Sequence, residues 1–461
     1  MSVANRFPVW FVLTLLLTVN CCLKADDIWR FGKAKSSITP QEFMWMSGYG
    51  SRNKPADGKL TELWVKVLAL EDRDGNRALL ITLDLIGIGR QMSDQITREI
   101  QDKYRLSRDR VAICTSHTHT GPALADNLMP LHYLVVDEDQ QQLIQSYSQW
   151  LKKEIVATVG RALKTMQPAR LAWGSGKATF AVNRRNNAEA QVPKLRLEKK
   201  LQGPVDHDVP VLAIRDSADR LQAVVFGYAC HATVLSFYKW SGDYPGFAQL
   251  QLEKDFPECQ AMFWAGCGAD QNPLPRRQVE LAKRYGELLA DAVKEVLKSE
   301  MGKVNASLVT KYQEIELPLA KLPTKKEIEN DAKSANRFIK ARAKYLLSEM
   351  EKKGKLETDY PYPVQSWTLG NDIQFVFLGG EVVVDFAVRI KSENAGKETW
   401  VAGYSNDVMA YIASARVLRE GGYEGATAMI YYGLPAPWAL ESEQLIVDAV
   451  NRQIGNGKSK E

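Results

Sequence analysis

Short unbroken apolar runs alternate along this chain with longer stretches in which apolar residues recur every three to four positions. The runs RALLITLDLIGIG (77–89), RVAICTSHTH (110–119), VPVLAIRD (209–216), QAVVFGYACHATVL (222–235) and QAMFWAG (260–266) are rich in β-branched and aromatic residues, and they predict buried strands. The helical period predicts helices over 92–104, 140–165, 277–298 and 437–453. It also predicts one highly charged helix over 324–353, whose charge run reads as a solvated face. There is no internal repeat and no low-complexity linker; the only punctuation is at 300–365, where charge rises and YPYP occurs. Strands alternating with helices predict α/β architecture: a single large domain over residues 26–461, with mixed β-sheets flanked by helices.

The N-terminus departs from this pattern. Arg6 is followed by FPVWFVLTLLLTVNCCL and then KADD, the layout of a secretory signal peptide over residues 1–25. The apolar run is short for a bilayer span, and no later run is apolar enough, so a soluble secreted or periplasmic protein is expected. Cys21 and Cys22 leave lipoprotein anchoring as the alternative. Four cysteines follow the leader, Cys114, Cys230, Cys259 and Cys267, with no C-x-x-C pair, which argues against a cysteine zinc site. A Cys259–Cys267 bridge stays open in an oxidising compartment.

Composition narrows the function classes. The 461 residues are 45% hydrophobic and 25% charged, and 60 basic against 55 acidic residues give a net charge of +5. The charges are well mixed, which argues against nucleic acid as a partner.

The chain has only five histidines, and two of them, His117 and His119, stand one residue apart at the end of an apolar run. On a strand, side chains at i and i+2 share a face, roughly 6.5–7 Å apart. Such a pair can converge on a metal, or one ring can work beside a metal held by the other; a hydrogen-bonded structural pair is the competing reading. His231 also ends an apolar run, whereas His132 and His207 stand in loop-like contexts. Three histidines at strand ends make a zinc site plausible. Glu381 follows a Gly-Gly break after the apolar run IQFVFL, where a buried carboxylate needs a metal or an ion pair with Arg389. There is no HExxH, no HxHxDH, no G-x-S-x-G elbow and no P-loop.

Taken together, these segments resemble the neutral (alkaline, non-lysosomal) ceramidases, in their N-terminal catalytic domain. The similarity lies in FGKAKSSITP with MSGYGSR, in LDLIG with TSHTHTGPA, and in FAVNRRN, CHATVL, SGDYPGFAQ and GGE. It extends to NDVMAYIASARVLREGGYEGAT, which holds Tyr411 and Tyr423 twelve residues apart. The resemblance implies one zinc per chain, held by His117, His231, Glu381 and Tyr411. His119 would be the proton donor or acceptor beside it, and Arg184 and Tyr423 would contact the substrate carbonyl or its oxyanion, with Arg185 the neighbouring alternative. It implies hydrolysis of a linear amide in an N-acyl lipid or ceramide-like substrate by metal-activated water, with no obligate protein partner and with peripheral contact to a membrane surface allowed for.

In GCGADQNPLP, Asp270 is kept, but Asn272 stands where the family has a serine. An amide cannot be a nucleophile but can bind substrate, so Asp270 and Asn272 are taken as substrate contacts, and ceramide itself is put in question. The C-terminal immunoglobulin-like domain of full-length ceramidases is expected to be missing. Two other readings remain: a zinc- or ligand-binding protein with altered catalysis, and a metal-dependent esterase or phosphoesterase drawing on Asp84 and Asp270.

Overall fold

The structure, a computed structural model, describes residues 29–455. The leader expected over 1–25, with Cys21 and Cys22, lies outside the described residues. Two sheets stack face to face, and helices cover the outer face of each. The larger sheet has nine strands. Its path runs Gln260–Ala265, Leu221–Tyr228, Asp208–Arg215, Gln167–Lys177, Trp29–Ser37, Trp64–Glu71, Arg77–Leu83, Val111–Thr115, with Gly302–Val304 also paired to Gln167–Lys177. Neighbours are antiparallel except at the two ends of the path, where the outer pairs are parallel. Each parallel pair needs a crossover. The helix Asp243–Asp255 makes one and Arg90–Tyr104 the other.

The strands read with period two. In Trp64–Glu71, Val65, Val67 and Ala69 face the core under the helices Arg90–Tyr104 and Glu138–Lys164, while Leu68 and Leu70 face the second sheet. That second sheet has four strands, in the order Leu308–Pro318, Asp359–Leu369, Ile373–Leu378, Glu398–Ala402. Trp29, Phe31, Trp264, Trp367, Phe375 and Trp400 fill the space between the sheets. Val384–Glu393 and Ser442–Ile454 cover its outer face. The α/β architecture with mixed sheets flanked by helices is as the sequence predicts, and the 300–365 stretch contributes Leu308–Pro318 and most of Asp359–Leu369 to the smaller sheet.

The large sheet curls. Lys66 Nζ donates to the Ala261 carbonyl at 2.8 Å, and Gln260 Nε2 to the Val67 carbonyl at 3.0 Å, between strands far apart along the path. The ends of Val111–Thr115 and Leu221–Tyr228 therefore deliver the loops that follow them to one place.

Two expectations are corrected. The charged stretch 324–353 is two helices, Lys325–Asp331 and Arg337–Lys353. Asn336 Oδ1 accepts from the backbone N–H groups of Phe338 and Ile339, starting a new helix instead of continuing the old one. Its charges do face solvent, apart from the half-buried Arg342 and Glu349, while Ile328, Ala343 and Leu346 form a small core of their own on the inner side. Cys259 and Cys267 are free, buried thiols, so they form no bridge. Among the described residues no helix is long and apolar enough to cross a membrane.

Candidate metal centre and its cleft

His117 leaves the Val111–Thr115 strand with φ 56°, a left-handed conformation that costs a β-carbon residue about 1–3 kcal/mol. The surroundings hold it there. Its Nδ1 lies 2.6 Å from the Ile86 carbonyl, and its ring packs on Tyr404 with centroids 4.3 Å apart. His231 follows Leu221–Tyr228, with Nδ1 2.8 Å from the Gly268 carbonyl. A carbonyl only accepts, so in both rings Nδ1 carries the proton and Nε2 presents a lone pair.

Glu381 and Tyr411 are brought side by side by a two-residue parallel ladder, Glu381–Val382 with Tyr411–Ile412. It starts at Gly380, whose φ of +76° is open to glycine and whose β-carbon would fall 2.5 Å from Ile412. Glu381 Oε2 lies 3.1 Å from both His117 Nε2 and His231 Nε2, yet it receives no hydrogen bond. The other oxygen accepts from the Tyr432 hydroxyl. Two imidazole lone pairs and a buried carboxylate oxygen thus face one another, an arrangement that repels itself unless a cation lies between. Burial raises the Glu381 carboxyl; only positive charge at Nε2 of His117 and His231, from protons where an ion would otherwise sit, holds it well below the usual carboxylate range. Burial drives His231 down to about 4.

His119 borders this group on its more open side. Its Nε2 is 3.1 Å from His117 Nε2, its Nδ1 has no partner, and burial first, then the two neighbouring histidines, push its pKa down. The ligand atoms of His117, His119 and His231 all lie within 4.8 Å of one another. Tyr49 packs on the His119 ring at 5.0 Å. Gly48, with φ +103°, lies so close that a β-carbon would come 2.6 Å from that ring.

The Tyr411 hydroxyl stands 3.4 Å from His231 Nε2 and accepts from Arg184 Nη2 at 3.2 Å. Arg184 directly follows Ala181–Asn183, which pairs with Gln271–Pro273, and its Nη1 reaches Asn272 Oδ1 at 3.3 Å. Burial opposes its charge, but Tyr411 and Glu424 raise its pKa well above the ordinary value. Tyr423 is 44% exposed, and its ring is 5.3 Å from that of Tyr411. Arg184, Asn272, Leu274 and Tyr423 line a cleft of about 460 Å³.

The structure thus gathers His117, His119, His231, Glu381, Tyr411, Arg184, Tyr423 and Asn272. Asp270 is the exception. It is fully buried, with Oδ1 accepting from the Val384 backbone and Oδ2 from Asn183 Nδ2, so its oxygens are engaged inside the fold and it is not among the residues lining the cleft. Arg389 pairs with Glu393 and Glu443, not Glu381. His132 and His207 bond to the backbone at Gly48 and Ala181. Arg185 turns to Glu420 and Glu424.

Three contributors were not foreseen. Glu424 clamps Arg184 and Arg185 together, Tyr432 holds Glu381, and Tyr404 backs His117. Glu424 adjoins Tyr423 in sequence, which is a usable hint. Nothing in the one-dimensional pattern separates Tyr404 or Tyr432 from core tyrosines.

Residues 29–273, more than half of the chain, match the family described as "Neutral/alkaline non-lysosomal ceramidase, N-terminal". The chain belongs to the neutral/alkaline non-lysosomal ceramidase family. It is 24% identical over 258 residues to the neutral ceramidase of Pseudomonas aeruginosa, covering 54% of this chain and 38% of that one. Over 241 residues it is 24% identical to neutral ceramidase A of Dictyostelium discoideum, covering 50% and 33%. The match therefore spans about a third of the length of these curated relatives. Its fold matches the crystal structure of the Pseudomonas aeruginosa neutral ceramidase with a TM-score of 0.71 at 19% identity, over 93% of this chain and 75% of that one. A ceramidase structure complexed with C2 matches equally well, at 0.71. At such identities the likeness shows the fold.

Proposed function

We propose that the protein is a metal-dependent hydrolase of a linear amide in an N-acyl, ceramide-like lipid. One observation carries the proposal: an unsatisfied, buried Glu381 oxygen lies 3.1 Å from two imidazole nitrogens whose tautomers leave lone pairs facing it. His117, His231 and Glu381 would hold the ion, with Tyr411 beside them, and a set of nitrogens and one carboxylate suits zinc. A bound zinc supplies Lewis-acid polarisation and acidifies water toward neutral pH.

This chain's own residues supply the rest. His119, whose Nε2 faces the cluster 3.1 Å from His117 Nε2, can take a proton from the attacking water and return it to the leaving amine. The Arg184 guanidinium, fixed by Glu424, and the Tyr423 hydroxyl can donate to the oxygen on which charge develops. Asn272, bonded to Arg184, can bind substrate at the position where the family has a serine; no serine is required if water is the nucleophile.

A phosphoesterase would draw on aspartates for a second ion. Asp84 is committed to the Trp64 backbone and Gln249, and Asp270 to Val384 and Asn183, which favours amide chemistry. The altered-catalysis reading rests on Asn272 alone. Export by a leader over residues 1–25 belongs to the same proposal, and N-terminal sequencing of the mature protein tests it.

The deciding experiment combines metal analysis with a substrate panel. About one zinc per chain, and turnover of N-acyl amides over acyl and phosphate esters, is expected. A zinc-loaded protein inert to all amides would overturn the hydrolase and leave the binding protein.

A further inference from the structure

Next to the cleft lies a surface of a distinct kind. Ala188 and Glu189 line the cleft, and the chain continues into the short helix Val192–Leu197 and the turn to Leu201. Its inner side is anchored. Val192 packs with Val182 and Leu274, and the Arg196 guanidinium donates to the carbonyls of Thr179, Phe180 and Leu274 at 2.8, 3.1 and 3.4 Å. Its outer side carries Leu197, 86% exposed, the most exposed large apolar side chain among the described residues. Lys194, Lys199 and Lys200 surround it, all exposed. The segment's single acid, Glu198, is shared between Lys194 at 3.9 Å and Lys200 at 3.0 Å.

A lone exposed leucine needs no explanation by itself. A leucine held outward on a rigidly anchored turn, flanked by cations, a few residues beyond the cleft-lining Ala188 and Glu189 is a different case. Cations alone would suit any polyanion, but a leucine gains nothing from one, whereas it gains from burial at a lipid interface. We infer that Val192–Leu201 is the face by which this protein rests on a bilayer bearing anionic headgroups, with Leu197 among the headgroups and the lysines at phosphate level. That places the cleft beside the lipid, and the inference rests on the reading of the site as one for a lipid amide.

The test uses phosphatidylcholine vesicles with and without phosphatidylglycerol, and full-length protein in sedimentation at low and high salt. Wild-type protein should bind the anionic vesicles and be released by salt. Lys194→Glu/Lys199→Glu/Lys200→Glu should weaken binding at least tenfold, and Leu197→Ser by several-fold to about tenfold. Both variants should keep wild-type turnover of a water-soluble short-acyl amide and lose it only on vesicle-borne substrate. Absence of vesicle binding by the wild type, or equal binding by both variants, would overturn the inference. So would heparin binding as strong as vesicle binding and indifferent to Leu197→Ser. Failure on the soluble amide with vesicle binding intact would instead strike the amidase reading alone.

Discussion

At the scale of single residues, the site separates atoms placed to hold an ion from atoms that hold those atoms. His117→Ala removes a nitrogen at the centre of the cluster and should abolish stoichiometric zinc. His119→Ala should keep zinc and lose turnover by about 10²–10⁴-fold, the usual worth of a proton-transferring group. Zinc content and kcat on the same preparations check both, and full zinc in His117→Ala would refute the ligand assignment. Tyr432 bonds the Glu381 oxygen that does not face the imidazoles, and so sets which oxygen does. Tyr432→Phe should weaken metal affinity by about 10–100-fold while leaving the stoichiometry at saturation, as loss of an outer-shell partner does. Competition with a chelator measures it.

At the scale of elements, the site depends on strand ends being delivered to one point. His231 hangs from Leu221–Tyr228, and within that strand Gly227 stands opposite Trp264, with a β-carbon there falling 2.2 Å from the indole. Trp264 belongs to the packed layer between the sheets and cannot retreat cheaply. Gly227→Val should therefore destabilise by about 1–3 kcal/mol from overpacking and, by shifting the strand, loosen zinc. Thermal melting with a parallel zinc titration tests this, and a melt equal to wild type would show that the indole has room to move.

The pattern along the chain was a good guide to this level. The strands at 77–83, 111–115, 208–215, 221–228 and 260–265 fall within or beside the predicted apolar runs, because fully buried strands are apolar on both faces. It failed at 324–353, because side-chain capping by Asn336 competes with helix continuation and leaves no mark in a charge pattern.

For the molecule as a whole, folding, ion and pH are linked. An ion that binds only the folded chain stabilises it, by roughly 2.7 kcal/mol at a hundredfold excess over Kd. Chelation should lower the melting temperature of the wild type and leave that of His117→Ala unchanged.

A second linkage lies away from the site. Burial raises the Asp407 carboxyl to about 7, against the opposing pull of the Tyr360 hydroxyl at 2.7 Å and of Arg90, with Asp126 and Asp94 adding to the rise. The folded chain then holds a proton that the unfolded chain releases near pH 4. Its contribution is therefore complete below about pH 4 and fades as pH rises through about 7, by at most a few kcal/mol at about 1.4 kcal/mol per unit. Asp407→Asn should flatten the fall in melting temperature across that window, and an identical pH profile would dismiss Asp407 as its source.

The sequence by itself determined the element types, the α/β class and the residues able to bind a metal, since periodicity and side-chain chemistry are local properties. It also held the family's segments in order. Only the tertiary structure decided which of those residues meet. The curl of the large sheet brings His117 and His231 together from opposite ends of its strand order, and the two-residue ladder sets Glu381 beside Tyr411. The same packing turns Asp270 away from the cleft and Arg389 away from Glu381, and it recruits Tyr432, Tyr404 and Glu424. The physical reason is that a local pattern fixes which face of an element is buried, whereas contact between side chains hundreds of positions apart depends on how whole layers twist and pack.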